Sequence, residues 1–266
     1  MDAFEAQPGA KTRKLKVDLH VHTASDPVDN LPLDIESTIE LAAAHGYDVI
    51  ALTHHDAYFH ITDDIARVAE RAGVMVLPGI EASLDDGAHV LVVNCGPEIE
   101  GISSLDELSA IRRPEHLIIP AHPFYPGFGL GREKLEQWSD LFDAVEWSSF
   151  WNKHFHKPNL AAAKFCKRRG IPLVGTGDIH LPRQINRTYS LVQAERDPVA
   201  IVRAIRSGFV EVVTEPLSLA DMALVMGELT LRNQLLSPSF WKRLPTVFAD
   251  VYGRRPHRAH ELASYA

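Results

Sequence analysis

The chain has 266 residues, 45% of them hydrophobic, and a formal net charge of −8. That length and apolar content supply one large α/β domain or two smaller ones. The acidic balance argues against a broad nucleic-acid-binding surface while leaving room for a local basic cleft.

Cys95 and Cys166 are the only cysteines. With no CxxC spacing they support neither a disulfide framework nor a thiolate zinc site, so two buried thiols in a reducing cytoplasm are expected. No apolar run approaches the ~18 residues of a membrane span, so no membrane partner is expected.

Residues 1–14 are polar, contain Pro and Gly, and lack the apolar stretch of a signal peptide. A flexible N-terminal tail is expected there. Apolar, β-branched runs then predict strands at 15–21, 48–53, 74–80, 89–94, 117–121, 144–147 and 172–177. Helical patterns fall between them at 34–45, 62–72, 104–113, 132–140 and 158–169, and a further helix at 197–207 follows the last strand. Ser104 with Glu107 reads as a capping box, and Gly46, Gly73 and Gly170 sit where left-handed C-caps are wanted.

Strand–helix alternation with continuous apolar strands points to a mainly parallel sheet covered on both faces. Seven strands make an incomplete or distorted barrel. Residues 82–88 are too few for a crossover helix, and Asp86-Gly87 predicts a hairpin there, the one break in the pattern. From 216 to 266 a helical extension is expected. Leu219, Met222, Ala223, Met226 and Leu229 recur at helical spacing, as a docking face for the barrel or a partner chain. A second short helix is expected from Ser239 to Tyr252, and Arg254, Arg255, His257 and Arg258 read as a solvated tail.

Three segments concentrate the chemistry: Asp18-Leu19-His20-Val21-His22, Pro78-Gly79-Ile80-Glu81 and Gly177-Asp178-Ile179-His180. Residues two apart on a strand share a face, so His20 and His22 project together, as do Asp178 and His180. Imidazole nitrogens and carboxylate oxygens converging in this way suit a divalent transition metal. A carboxylate directly after Val74-Met-Val-Leu-Pro-Gly-Ile80 is costly to bury unpaired. His22, His55, Glu81, His122, Asp178 and His180 all lie at or just past C-terminal strand ends, the face where barrel enzymes gather their loops. His89 starts a strand, but one that the hairpin reverses.

Together with Thr53-His54-His55-Asp56 and Ala121-His122-Pro123, these segments resemble the motifs of the polymerase-and-histidinol-phosphatase (PHP) family, in order, from residue 15 to 215. The stretch 204–214 also resembles a segment that follows the last motif in many members. The resemblance implies a distorted (β/α)7 barrel, extended here by the C-terminal helical segment, holding two or three divalent ions of zinc, manganese or iron. It implies that His20, His22, Glu81 and Asp178 hold the first ion, with Glu81 bridging to the second, which His89 and His122 complete. His55, His180 and Asp26 are implied for the third. His54 stands where members commonly carry Asp; it either alters what supports His55 or adds a fourth histidine. Gly177 stands where members often have Ser.

Closely spaced cations lower the pKa of a shared water and neutralise phosphoryl oxygens. Phosphoester hydrolysis by metal-bound hydroxide follows, with no side-chain nucleophile; no GxSxG elbow is present. Arg187 and Arg183 are candidates for substrate phosphate, or solvated loop residues. Phe124, Tyr125 and Phe128 either wall a ring of the substrate or pack against the barrel rim. The expected substrate is a small phosphorylated metabolite or nucleotide. Alternatives are a 3′-5′ exonuclease on single-stranded nucleic acid, a histidinol-phosphate phosphatase, and a non-catalytic metal-stabilised binding module. Oligomeric state is not legible.

Overall fold

The computed structural model describes residues 13–236. The expected second short helix from Ser239, the basic tail and most of the N-terminal tail lie outside the described residues.

Among the described residues nine strands and seven α-helices follow in chain order: β1 Lys14–Val21, α1 Ile35–Ala44, β2 Val49–Leu52, α2 Asp63–Ala72, β3 Met75–Ser83, β4 His89–Val93, α3 Leu105–Ile111, β5 Leu117–Pro120, α4 Gly131–Gln137, β6 Val145–Ser148, α5 Lys157–Arg169, β7 Leu173–Thr176, β8 Thr188–Gln193, α6 Pro198–Arg206, β9 Val210–Thr214 and α7 Leu219–Leu236. Local chemistry sets the helix ends. Asp34, Thr62 and Ser104 accept N-terminal amides of α1, α2 and α3. Gly73 and Gly170 close α2 and α5 in the left-handed conformation.

A seven-stranded sheet runs β5-β4-β3-β2-β1-β8-β9 and curls into a half-barrel. The two-stranded β6–β7 sheet covers its open side, with β6 against β5 and β7 against β8, β9 and β1. A parallel bridge between Val21 and Ile179 joins the top of β1 to the segment after β7. The architecture is the expected α/β distorted barrel, but it reverses twice. Pairing runs β1, β2, β3, β5, β6, β7 and β9 one way and β4 and β8 the other. The first reversal is the anticipated hairpin, in which Ser83 pairs with His89. The second, at β8, corrects the expectation of a single break. The sequence pattern hides β8 because its barrel-facing positions include the polar but buried Thr188 and Ser190.

Alternate residues of nearly every strand fill the interior, among them Leu15, Val17 and Leu19 of β1, Leu77 of β3, Ile119 of β5 and Val174 of β7. Ile201, Val202 and Ile205 of α6 pack into the same cluster. Opposite faces of the strands pack under α1 and α2 on one side and under α3, α4 and α5 on the other. Asp143, nearly buried, accepts from Arg206 Nε at 2.9 Å, Arg112 Nη2 at 2.6 Å and the Ile118 amide at 2.9 Å, which ties α6 to β5 and β6.

Of the α7 stripe, Met226 and Leu229 face a cavity at the barrel mouth beside the fully buried Val225. Leu219 is 63% exposed, so the stripe is narrower than its periodicity implied. No helix among the described residues is long and apolar enough to cross a membrane.

Candidate metal centre

Strand parity explains how most of the centre forms. His55, Glu81, His89 and Glu146 each continue the inward-facing series of their strands, two or four residues from interior Ala51, Leu77, Leu91 and Ala144. His20 and His22 have the opposite parity to Leu15, Val17 and Leu19. They reach the inside because the β1–β2 register shifts between Asp18 and Val21. Such an irregularity re-aims the side chains beyond it. His122 and Asp178 gain entry differently, through left-handed backbone at φ 31° and 46°. Strained positions of this kind cluster where a site over-determines them.

Glu81 sits at the middle, 1% exposed. Its Oε2 lies 3.1 Å from His20 Nε2 and 3.2 Å from both His22 Nε2 and His55 Nε2. Its Oε1 lies 2.9 Å from His89 Nδ1 and 3.3 Å from His122 Nε2. Asp178 Oδ1 adds an oxygen 3.3 Å from His20 Nε2 and 3.6 Å from His22 Nε2. His20 Nε2, His22 Nε2 and Glu81 Oε2 are buried without a hydrogen-bond partner. Leaving three such atoms facing one another is costly, and a cation between them removes the cost. The spacings agree: ligands 2.0–2.1 Å from a tetrahedral ion stand roughly 3.3 Å apart. Four overlapping triplets, His20–His22–Asp178, His22–His55–His180, His55–Glu81–His89 and Asp26–Asp29–His55, each bring ligand atoms within 4.8 Å of one another. The cluster can hold divalent metal.

The electrostatics favour positive charge at the same place. Burial alone would depress the His20 imidazole, but Asp178, Glu81 and Glu146 push it well above its usual range. His55, likewise buried, is raised to about 10 by Glu81 and Asp26. Burial would raise Glu81, yet His20 and His55 hold its carboxyl well below the usual range. Protons gather where cations would sit.

Behind these groups stands a layer that fixes the rings. Glu146 Oε1 lies 2.8 Å from His20 Nδ1, and Glu146 also accepts from Thr176 and the His122 amide. Asp26 Oδ2 lies 2.7 Å from His22 Nδ1 and 3.0 Å from His55 Nδ1 and accepts the His55 amide at 3.0 Å. Its Oδ1 takes the Val28 and Asp29 amides. Oδ2 therefore turns two histidines while Oδ1 anchors the loop that carries Asp29. Asp29, which the sequence reading passed over, puts Oδ2 3.0 Å from His180 Nε2. Its signal was weak: Asp29 lies in a Pro- and Asn-containing loop with no strand to deliver it.

His54 points elsewhere. Its Nε2 lies 2.9 Å from Thr23 Oγ1 and its ring meets Phe59 edge-on, so it joins none of the ligand triplets. Asp26 gives His55 the carboxylate partner that position 54 lacks. Asp18 Oδ1 accepts the Gly177 amide at 2.8 Å, and a Cβ at 177 would collide with Asp18 Oδ2, a local reason for Gly rather than Ser.

Neither Arg187 nor Arg183, the candidates for substrate phosphate, is among the described residues that line the cavity beside the centre. Arg183 Nη2 lies 3.4 Å from Glu228, and Arg187 lies 3.6 Å from Asp221 and 3.9 Å from Glu215. The carboxylates on and just before α7 draw both away. Of the three aromatics, Phe124 packs against Phe165 in the outer core, whereas Tyr125 and Phe128 line the cavity.

No protein-family profile matches the chain. It is 35% identical over 81 residues to the PolC-type DNA polymerase III of Staphylococcus aureus, a stretch covering 30% of this chain and 6% of that polymerase. Among solved structures, a two-domain protein from Bacteroides vulgatus ATCC 8482 containing a predicted PHP-like metal-dependent phosphoesterase matches with a TM-score of 0.62 at 18% identity, over 81% of this chain and 70% of that one. PsfC from Pseudomonas syringae PB-5123 matches with a TM-score of 0.58 at 17% identity, over 84% of this chain and 100% of that one.

Proposed function

We propose that this chain, which has the fold of the PHP-like metal-dependent phosphoesterases, hydrolyses a small phosphorylated metabolite or nucleotide. The observation that carries this reading is the position of Glu81 between two sets of histidines, with His20 Nε2, His22 Nε2 and its own Oε2 buried and unpartnered. His20, His22, Glu81 and Asp178 would hold one ion; Glu81, His89 and His122 a second; His55, His180 and Asp29 a third, with Asp26 orienting His22 and His55. Zinc, manganese and iron all suit this donor set. Such ions lower the pKa of water and neutralise phosphoryl oxygens.

The chain's own residues do the rest. Glu146 and Asp26 hold the Nδ1 positions of His20, His22 and His55, which leaves Nε2 of each directed inward. Burial of the centre strengthens every electrostatic contact within it. The pairing of Arg183 and Arg187 with carboxylates favours a small substrate over a strand of nucleic acid, which wants a basic groove. Two buried free thiols suit a cytoplasmic setting. The barrel unit is taken as residues 15–215, with α7 as its extension.

The test is phosphate release by metal-replete protein from a panel of sugar phosphates, nucleotides and simple phosphomonoesters. Activity is expected to disappear on chelation and in His20→Ala and Asp178→Ala. A metal-replete sample that releases no phosphate from any ester rejects the reading.

A further inference from the structure

A cavity of about 260 Å³ opens beside the centre, and its walls differ from its floor. His122, Asp178 and His180 form the floor. Phe128 and Phe155 of the barrel loops line the cavity together with Met226 and Leu229 of α7, and Phe128, Phe155 and Met226 are 51%, 38% and 50% exposed. Exposed apolar side chains grouped around one opening are unusual on a protein surface and mark a contact site.

The polar groups in these walls are already committed. Gln184 Oε1 accepts the His180 and Leu181 amides, and its Nε2 donates to the Asp178 carbonyl. Tyr125 Oη donates to the Phe150 carbonyl at 2.7 Å, and Ser148 Oγ accepts the Phe150 amide. No Lys or Arg is among the described lining residues. A sugar or a second phosphate seated here would lose its hydration without finding partners, which costs free energy. An aromatic ring would instead meet ring faces and a thioether.

We infer that the substrate's organic part is an uncharged aromatic group of one or two rings, joined to the phosphoryl group with no sugar between them and held between Phe128, Phe155 and α7 while the phosphoryl group lies over His122, Asp178 and His180. Size agrees: a cavity of roughly 150 Å³ accepts benzene. The inference rests on reading the centre as a phosphoester site, and it narrows that reading from metabolites and nucleotides in general to aryl-bearing esters.

The test compares 2-phenylethyl phosphate with glycerol phosphate, ribose 5-phosphate and AMP on metal-replete protein, because all leave as alcohols and differ little in intrinsic reactivity. The same titrations are run with 2-phenylethylphosphonate, which cannot be hydrolysed, on wild type and on Met226→Gln/Leu229→Gln. At least a tenfold preference in kcat/KM for the phenylethyl ester is expected, and the double variant should cut that preference and weaken phosphonate binding at least tenfold. Equal rates on all esters, a preference for AMP, or a preference and phosphonate affinity indifferent to the variant would overturn the inference while leaving the phosphoesterase reading intact. Phosphonate binding that responds to the variant, without hydrolysis of any ester, would keep the aromatic site and reject the phosphoesterase reading. Neither binding nor hydrolysis rejects both.

Discussion

Glu146 Oε1 stands 2.8 Å from His20 Nδ1, on the far side of the ring from Glu81, so a wholly buried carboxylate sets which imidazole nitrogen faces the centre. Carboxylates in this position typically carry a 10–100-fold effect on metal affinity or activity. Glu146→Gln should lower metal affinity by about that factor, read by competition with a chromogenic chelator. Unchanged affinity would deny Glu146 its orienting role.

Asp26 and Asp29 should separate in the same assay. Asp29→Asn should reduce the number of ions retained after dialysis by one, because it deletes an oxygen beside His180 Nε2. Asp26→Asn should leave the number unchanged and weaken affinity roughly 10–100-fold, since it only loosens His22 and His55. Elemental analysis with the reverse pattern would return Asp26 to the ligand set.

Asn233 reaches from α7 to the loop that carries Asp29. Its Nδ2 donates to Asp29 Oδ1 at 2.6 Å, and its Oδ1 accepts the Asn30 amide at 2.9 Å. Losing one such bond costs about 1 kcal/mol, roughly fivefold in affinity. Asn233→Ala should weaken the ion bound by His55 and His180 by that factor with little change in melting temperature. A large drop in melting temperature with ion affinity intact would make the contact structural only.

His54 supplies a pH dependence in the metal-free protein. Burial, followed by the charge of His22, holds its pKa down at about 4, against 6.5 in the unfolded chain. Above 6.5 both states are neutral, and the stabilising difference is complete. Between 6.5 and 4 the unfolded chain takes a proton that the folded chain refuses, so stability falls as pH falls, by about 3 kcal/mol at most. His54→Gln should flatten that slope relative to wild type in urea titrations at pH 7.5, 5.5 and 4.5. Parallel slopes would assign the acid sensitivity to other groups.

Arg206→Ala should destabilise the fold by about 3 kcal/mol, because it strips a two-point partner from buried Asp143. Urea denaturation reads this directly, and a loss below 1 kcal/mol would show that Arg112 suffices.

Much of the centre was legible because strand periodicity is local. Val74 to Ile80 is apolar, Glu81 follows, and nothing distant is needed to see that its carboxylate lies at a strand end. The spacing of His20 and His22 likewise guaranteed a shared face. Which face could not be read, since the register shift after Asp18 depends on how β1 meets β2. His and Asp enter the left-handed region more readily than most residues, but nothing local marks His122 and Asp178 among the chain's other His and Asp as the ones that do. Asp29 and Glu146 escaped notice for a related reason: each acts through a partner remote in sequence, and a lone carboxylate in a loop or short strand carries no such address. The partners of the two arginines were not legible either, since Asp221 and Glu228 stand on a helix whose placement the sequence left open.

The seat of α7 has a consequence for how the molecule is divided. Cutting after residue 215 would spare every histidine of the centre, yet it would remove Met226 and Leu229 from the opening and release the latch on Asp29. The barrel and its last described helix are thus a single working unit. Exchange of that helix alone would redirect which molecules enter while the chemistry beneath stays in place.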